Sequence, residues 1–167
     1  MQLKALGWEK YTVEDVRIRV NIYEIQPNMH WTTLVGCGLF HSGIEILGVE
    51  VAYGSHEQSG TGVYLDRPQK ILPPARLYKT LSIGTYARSR VQLLKILEDI
   101  SGRWLGLDYD ILKNNCNHFT QALLFEITRI PNQLPGYLNR AAKIGKRVQP
   151  ILAYTPFRGL LPPGPED

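Results

Sequence analysis

Two cysteines and four histidines carry the side chains suited to nucleophilic or metal chemistry: Cys37, Cys116, His30, His41, His56 and His118. Cys116 stands in LKNNCNHFTQALLFEI, residues 112–127. Asn is a strong N-cap because its side-chain oxygen accepts a free first-turn N–H. A helix is therefore expected to begin near Asn114 or Asn115 and run to about Thr128, with Pro131 beyond it. Cys116 then lies in the first turn, where free N–H groups and the positive end of the helix dipole favour thiolate. The same N–H groups can hold an oxyanion. Phe119, Leu123 and Ile127 follow Cys116 at +3, +7 and +11, so the sulfur shares the face that packs inward. The other reading of that position is a small buried cysteine filling the stripe. Position alone leaves both readings open.

A thiolate nucleophile needs a base. His41 is the best placed of the four histidines. In GLFHSGIEI, Leu39, His41, Gly43 and Glu45 fall on one face of a strand, and the small Ser42 and Gly43 leave room for another element to approach. A strand histidine without a chemical role is the alternative. His118 is two residues from Cys116, which on a helix points it to a different face, so a structural role is expected. His56 falls in a loop by composition, and His30 beside Trp31 carries no assignment.

These residue types also bind zinc, but the spacings are wrong. Cys37 and His41 in one strand would stand roughly 13 Å apart at about 3.3 Å per residue, and Cys116 and His118 diverge on their helix. No metal is expected. The glycines at 36, 38 and 43 lead into a strand and no helix, so no phosphate loop is read there and no cofactor is expected. Cys37, without a cation or helix N-terminus in view, should be a quiet thiol.

The elements that must position this chemistry are legible in outline. Residues 16–25 alternate, with Val16, Ile18, Val20 and Ile22 on one side and Arg17, Arg19, Asn21 and Tyr23 on the other, which predicts a half-buried strand. Residues 34–47 and the VEVAY segment after Gly48 read as a strand pair, with a kink among Gly36, Gly38 and Gly43. Residues 54–62 form a loop, 62–66 a short strand, 67–74 a proline-bearing connector and 77–83 a further strand. Over residues 89–100 the apolar Val91, Leu94, Leu97 and Ile100, widened by Leu93 and Ile96, predict an amphipathic helix closed by Gly102. Pro135 suits the start of a third helix with Leu138, Ala142 and Val148 inward. Strands first and helices later predict an α+β sheet covered by helices.

Composition narrows the classes of function. The 167 residues fit one domain, and 44% hydrophobic residues is ordinary for a globular chain. No apolar run is long enough to span a membrane, and the first residues lack the apolar core of a secretory signal. With two cysteines a disulfide framework is not the source of stability, which suggests the cytosol or nucleus. The net charge is +4, but the basic residues are scattered; the densest group is Arg140, Lys143, Lys146 and Arg147. A nucleic-acid partner would call for a concentrated basic face, so none is expected.

Three blocks together resemble a known family. VRIRVNIYEI, GLFHSGIEILGVEVAYG at 38–54 and NNCNHFTQALLFEITRIPNQL at 114–134 look like the PPPDE, or DeSI, group of thiol peptidases, described as having a permuted papain-like fold. The likeness spans roughly 16–150, leaving an N-terminal extension at 1–15 and a Pro/Gly-rich tail at 151–167 expected to be loose. The resemblance implies a Cys–His dyad, with the family's histidine on His41 and its cysteine on Cys116. It also implies hydrolysis of an isopeptide bond to ubiquitin or a ubiquitin-like modifier such as SUMO. The F-H-S-G-I-E and A-Y-G versions look more like the branch linked to deubiquitination. Partners would be modified proteins and, by the same likeness, a second copy of the chain. A third, orienting residue is not given by the motif; Glu50 and Tyr53 on the return strand are candidates. Two rivals stay open: a protein S-acyl thioesterase acting in depalmitoylation on the same dyad, and a non-catalytic binding module of the same fold.

Overall fold

The computed structural model describes residues 13–25, 39–70 and 73–140. Five strands form one antiparallel sheet: β1 (Val13–Glu24), β2 (Phe40–Ile46), β3 (Val49–Tyr53), β4 (Val63–Asp66) and β5 (Arg76–Ser89), in the order β4-β3-β2-β1-β5. Helices α1 (Arg90–Ser101) and α2 (Cys116–Thr128) follow, with a single 3-10 turn at Gly106–Asp108 between them. This is the α+β arrangement expected, and it accords with a papain-like peptidase fold.

Alternation explains the core. Val16, Ile18, Val20 and Ile22 of β1 share a face with Phe40, Ile44 and Ile46 of β2 and with Val51 and Tyr53 of β3, and all are buried. The helices close that face: α2 packs on β2 and β3, and α1 packs on α2 and the end of β5. Phe119, Leu123, Leu124 and Ile127 come from α2, and Leu93, Leu97 and Ile100 from α1. Beta strands 2 and 3 are joined by a two-residue turn whose residues both lie in the left-handed region, Leu47 at φ 51° and Gly48 at φ 82°. Such a turn matches the twist of the strands it joins.

Several expectations need correction. The strand expected at 77–83 runs from Arg76 to Ser89, because its second half pairs with Val13–Ile18 of the central strand across an irregularity at Gly84. The same pairing starts β1 at Val13, inside the segment read as an extension. The second face of β1 is only partly solvated: Asn21 and Tyr23 are fully buried. They lie in a polar layer with Glu45 and Glu50, which the 67–70 connector helps to cover through the Gln69 N–H bonded to Glu50. On α1 the buried face is Leu93, Leu97 and Ile100, whereas Val91 is exposed. Residues 136–139 form turns with Leu138 buried. His30, Cys37, Ala142, Lys143, Lys146, Arg147, Val148 and both terminal segments lie outside the described residues, apart from 13–15.

Candidate active site

The N-terminus of α2 is built from the NNCNH run. Asn115 is its N-cap, and the Asn115 side chain accepts hydrogen bonds from the N–H groups of Asn117 (3.0 Å) and His118 (3.1 Å). His118 returns the favour through Nδ1, which accepts from the Asn115 N–H at 3.3 Å. Its role in the cap is structural, and it leaves Cys116 at the first helical position with the sulfur on the inward face.

Two polar side chains of α2 fasten that end of the helix to β2. The Asn117 side chain donates to the carbonyls of Phe40 and Leu138, both at 3.1 Å, and accepts from the Ser42 hydroxyl at 2.8 Å. Thr120 Oγ donates to the Ser42 carbonyl at 3.1 Å. All of these side chains are buried. The ladder between β2 and β3 joins Ile44, Glu45 and Ile46 to Val51, Glu50 and Val49. Residues 40–43 of β2 run on past it, and the clamp places the helix N-terminus there. The backbone N–H of Ser42 faces the Cys116 sulfur.

This docking brings Cys116 and His41 together. Cys116 is a free thiol, 3% exposed, and His41 is 6% exposed. Their side chains are within hydrogen-bonding reach of one another. Burial pushes the Cys116 thiol up, but the adjacent imidazolium charge and its hydrogen bond outweigh that, helped by the Ser42 N–H, and hold the thiol below its ordinary value. Burial likewise disfavours the charged imidazole. The thiolate, its hydrogen bond and the Glu50 carboxylate reverse this and raise His41. Each charge favours the other, which is the signature of a thiolate–imidazolium pair.

Two phenols flank the pair. Tyr64 of β4 places its hydroxyl 3.3 Å from His41 Nε2. The other ring nitrogen, Nδ1, is buried without a hydrogen-bond partner. Tyr109, in the segment between the 3-10 turn and α2, directs its hydroxyl at Cys116 Sγ from 3.9 Å. Sequence reasoning found neither tyrosine. The alternation of VYLD puts Tyr64 on one face of a strand, but only the Ala52–Tyr64 pairing shows that the face is that of His41. Nothing in GLDYD marks Tyr109.

The two orienting candidates from the return strand fare differently. Tyr53 points into the apolar core on the other face, where its hydroxyl donates to the Leu105 carbonyl at 2.7 Å. It does not touch His41. Glu50 is buried on the His41 face, but its carboxylate is held by the Tyr23 hydroxyl (2.6 Å), the Asn21 amide (2.7 Å) and the Gln69 N–H (3.0 Å). It reaches His41 through its charge alone. His56 bonds the Thr61 carbonyl at 2.9 Å and packs over Gly106, away from the pair.

Residues 16–156 match the family described as "PPPDE putative peptidase domain". Among curated proteins, a DeSI-like protein of Arabidopsis thaliana is 34% identical over 128 residues, covering 77% of this chain and 56% of the relative. The DeSI-like protein sdu1 of Schizosaccharomyces pombe is 33% identical over 136 residues, covering 78% and 66%. The "Desumoylating isopeptidase 1 homolog" of Caenorhabditis elegans is 30% identical over 148 residues, covering 87% and 44%. The aligned region thus spans between 44% and 66% of the length of these relatives.

Proposed function

Because the chain belongs to the PPPDE peptidase family, we propose that it is a cysteine isopeptidase that removes ubiquitin or a ubiquitin-like modifier from proteins through a dyad of Cys116 and His41. The observation that supports this reading is the placement of a buried free thiol, Cys116, in the first turn of a capped helix beside the buried His41, where each group shifts the other toward its charged form. The name of the nematode relative points to SUMO, whereas the histidine block resembles the deubiquitinating branch.

The chemistry follows from the geometry. Cys116 Sγ attacks the carbonyl carbon of the modifier's last residue, and the carbonyl π electrons move to its oxygen. The backbone N–H of Cys116, which the cap leaves unclaimed while it takes those of Asn117 and His118, is a donor for that oxyanion. His41 Nδ1 gives its proton to the departing amine, leaving an acyl thioester. His41 then takes a proton from water as the water attacks, and the thiolate leaves. Tyr64 accepts from Nε2–H and keeps the ring turned so that Nδ1 serves the sulfur. This is the orienting role that the sequence alone left to Glu50 or Tyr53.

The test is covalent capture. Ubiquitin and SUMO carrying a C-terminal propargylamide should form an adduct at Cys116 of the wild-type protein with one of the two, and none with Cys116→Ser. Adducts at another residue, or none with either probe while a fluorogenic acyl thioester is hydrolysed, would replace the isopeptidase reading.

A further inference from the structure

Tyr109 is left without a task by the dyad, yet its hydroxyl lies 3.9 Å from the reacting sulfur. That is longer than a good bond to a thiolate needs. It suits a group aimed at an oxygen one carbon away from the sulfur. The backbone N–H of Cys116, the first oxyanion donor, faces the same phenol oxygen. The phenol thus stands where a second donor would stand, beside the first.

The segment holding it is fixed on all sides. The Tyr109 ring packs on Tyr53 at 5.2 Å between centroids. Asn114 Nδ2 donates to the Asp108 carbonyl at 3.0 Å, and the Asp110 N–H bonds the Asn114 carbonyl at 3.2 Å. Tyr53 holds the Leu105 carbonyl from below. A donor fixed before the reaction stabilises developing charge without having to reorganise. The phenol keeps its proton throughout: burial, and then the thiolate charge, push its ionisation well above the ordinary tyrosine range.

We propose that Tyr109 is a catalytic residue, whose hydroxyl joins the Cys116 N–H in holding the tetrahedral oxyanion. In the resting site the phenol's proton points to the sulfur, with the Cys116 N–H beside the phenol oxygen. When Sγ bonds to the carbonyl carbon, the carbonyl oxygen becomes the common acceptor for both donors. No proton leaves the phenol, and both hydrogen bonds weaken as the carbonyl reforms. This assignment rests on the dyad reading, and the test separates the two.

The probe is N-acetylglycinal, a small aldehyde that adds to a thiol to give a tetrahedral adduct bearing the same oxygen. Its affinity is read as protection of Cys116 from iodoacetamide, in wild-type protein and in Tyr109→Phe, at a pH where each thiol is fully ionised. Iodoacetamide itself develops no oxyanion. Tyr109→Phe should bind the aldehyde about 10-fold more weakly, the loss of one hydrogen bond, and be alkylated within about twofold of the wild-type rate. Equal protection of the two proteins overturns the assignment. An alkylation rate that falls in step with protection would show that the phenol serves the thiolate instead, and one that rises would show that it covers the sulfur. If the aldehyde fails to protect Cys116 in the wild-type protein, the nucleophile reading fails and this assignment with it.

Discussion

Both helices among the described residues start with the same device and end up with different chemistry. At α1, Ser89 accepts from the Gln92 N–H at 3.2 Å and Gln92 accepts from the Ser89 N–H at 3.1 Å. At α2, Asn115 and His118 exchange the same pair of bonds. Each is a capping box, which satisfies orphan donors. The first residue after the cap differs: Arg90 is half-exposed, whereas Cys116 is buried against β2. A capped helix start is therefore not a site. What separates the second from the first is the clamp of Asn117 and Thr120 on Ser42, which sets the first turn against the strand that carries His41.

The largest expected effect comes from removing that strand's contribution. His41→Ala should lower turnover by about 1,000-fold or more, within the usual range for loss of a general acid–base. It should also move the midpoint for Cys116 alkylation up to or beyond the free-thiol value of about 8.5, since burial then acts unopposed. In the wild-type protein the sign is fixed by the two shifts. Activity rises with pH through the lowered thiol value and falls as the raised imidazolium loses its proton. Tyr64→Phe should keep that alkylation midpoint below the free-thiol value while reducing turnover by about 10-fold. The rate of iodoacetamide labelling against pH in the three proteins measures this, and an unshifted midpoint in His41→Ala would sink the dyad.

Breaking the clamp should come next. Asn117→Ala takes their buried donor from the Phe40 and Leu138 carbonyls and leaves the Ser42 hydroxyl with Thr120 Oγ as its buried acceptor. A loss of about 2–4 kcal/mol is expected, from unmet polar groups and a small cavity. Urea unfolding reads it, and a loss below about 1 kcal/mol would mean that the helix is held by its apolar face alone. The smallest effects should come from the caps themselves. Asn115→Ala and Ser89→Ala should each cost about 0.5–2 kcal/mol, the buried Asn115 more than the half-buried Ser89. Only the first should raise the pH at which Cys116 is alkylated. Equal shifts in alkylation from the two variants would erase the distinction between the two helix starts.

Local signals carried most of the frame. The alternation in β1, the Gly48 turn and the Asn115 cap are written in a few adjacent residues, because each depends on short-range geometry. His41 and Cys116 were readable as residue types in suitable elements, and their placement near one another followed from the family likeness. Features settled by distant parts of the chain were not readable. The second half of β5 exists because β1 offers it a partner, and its own residues alternate weakly. Asn21 and Tyr23 look like a solvent face until Gln69 arrives to bond Glu50 over them. Val91 and Leu94 suggest a buried stripe one step away from the true one, because three-residue spacing fits several helix faces and the contact with α2 and β5 selects one. Tyr64 and Tyr109 reach the site only through tertiary structure. The S-x-x-Q box at Ser89 was there to be read and adds a firm boundary to α1.

The Ser42–Asn117 hydrogen bond joins positions 75 residues apart, so the site cannot exist before the chain has been made through α2. Until α2 has formed and closed on the sheet, Cys116 has no imidazolium beside it and behaves as an ordinary thiol. Long-range contacts of this kind form late, since the loop between them must be ordered first. Cys116 is thus expected to react as an ordinary thiol until α2 has closed on the sheet, and again whenever the chain unfolds. Fast labelling of Cys116 near neutral pH would serve as a built-in gauge of how much of a sample is in the native state.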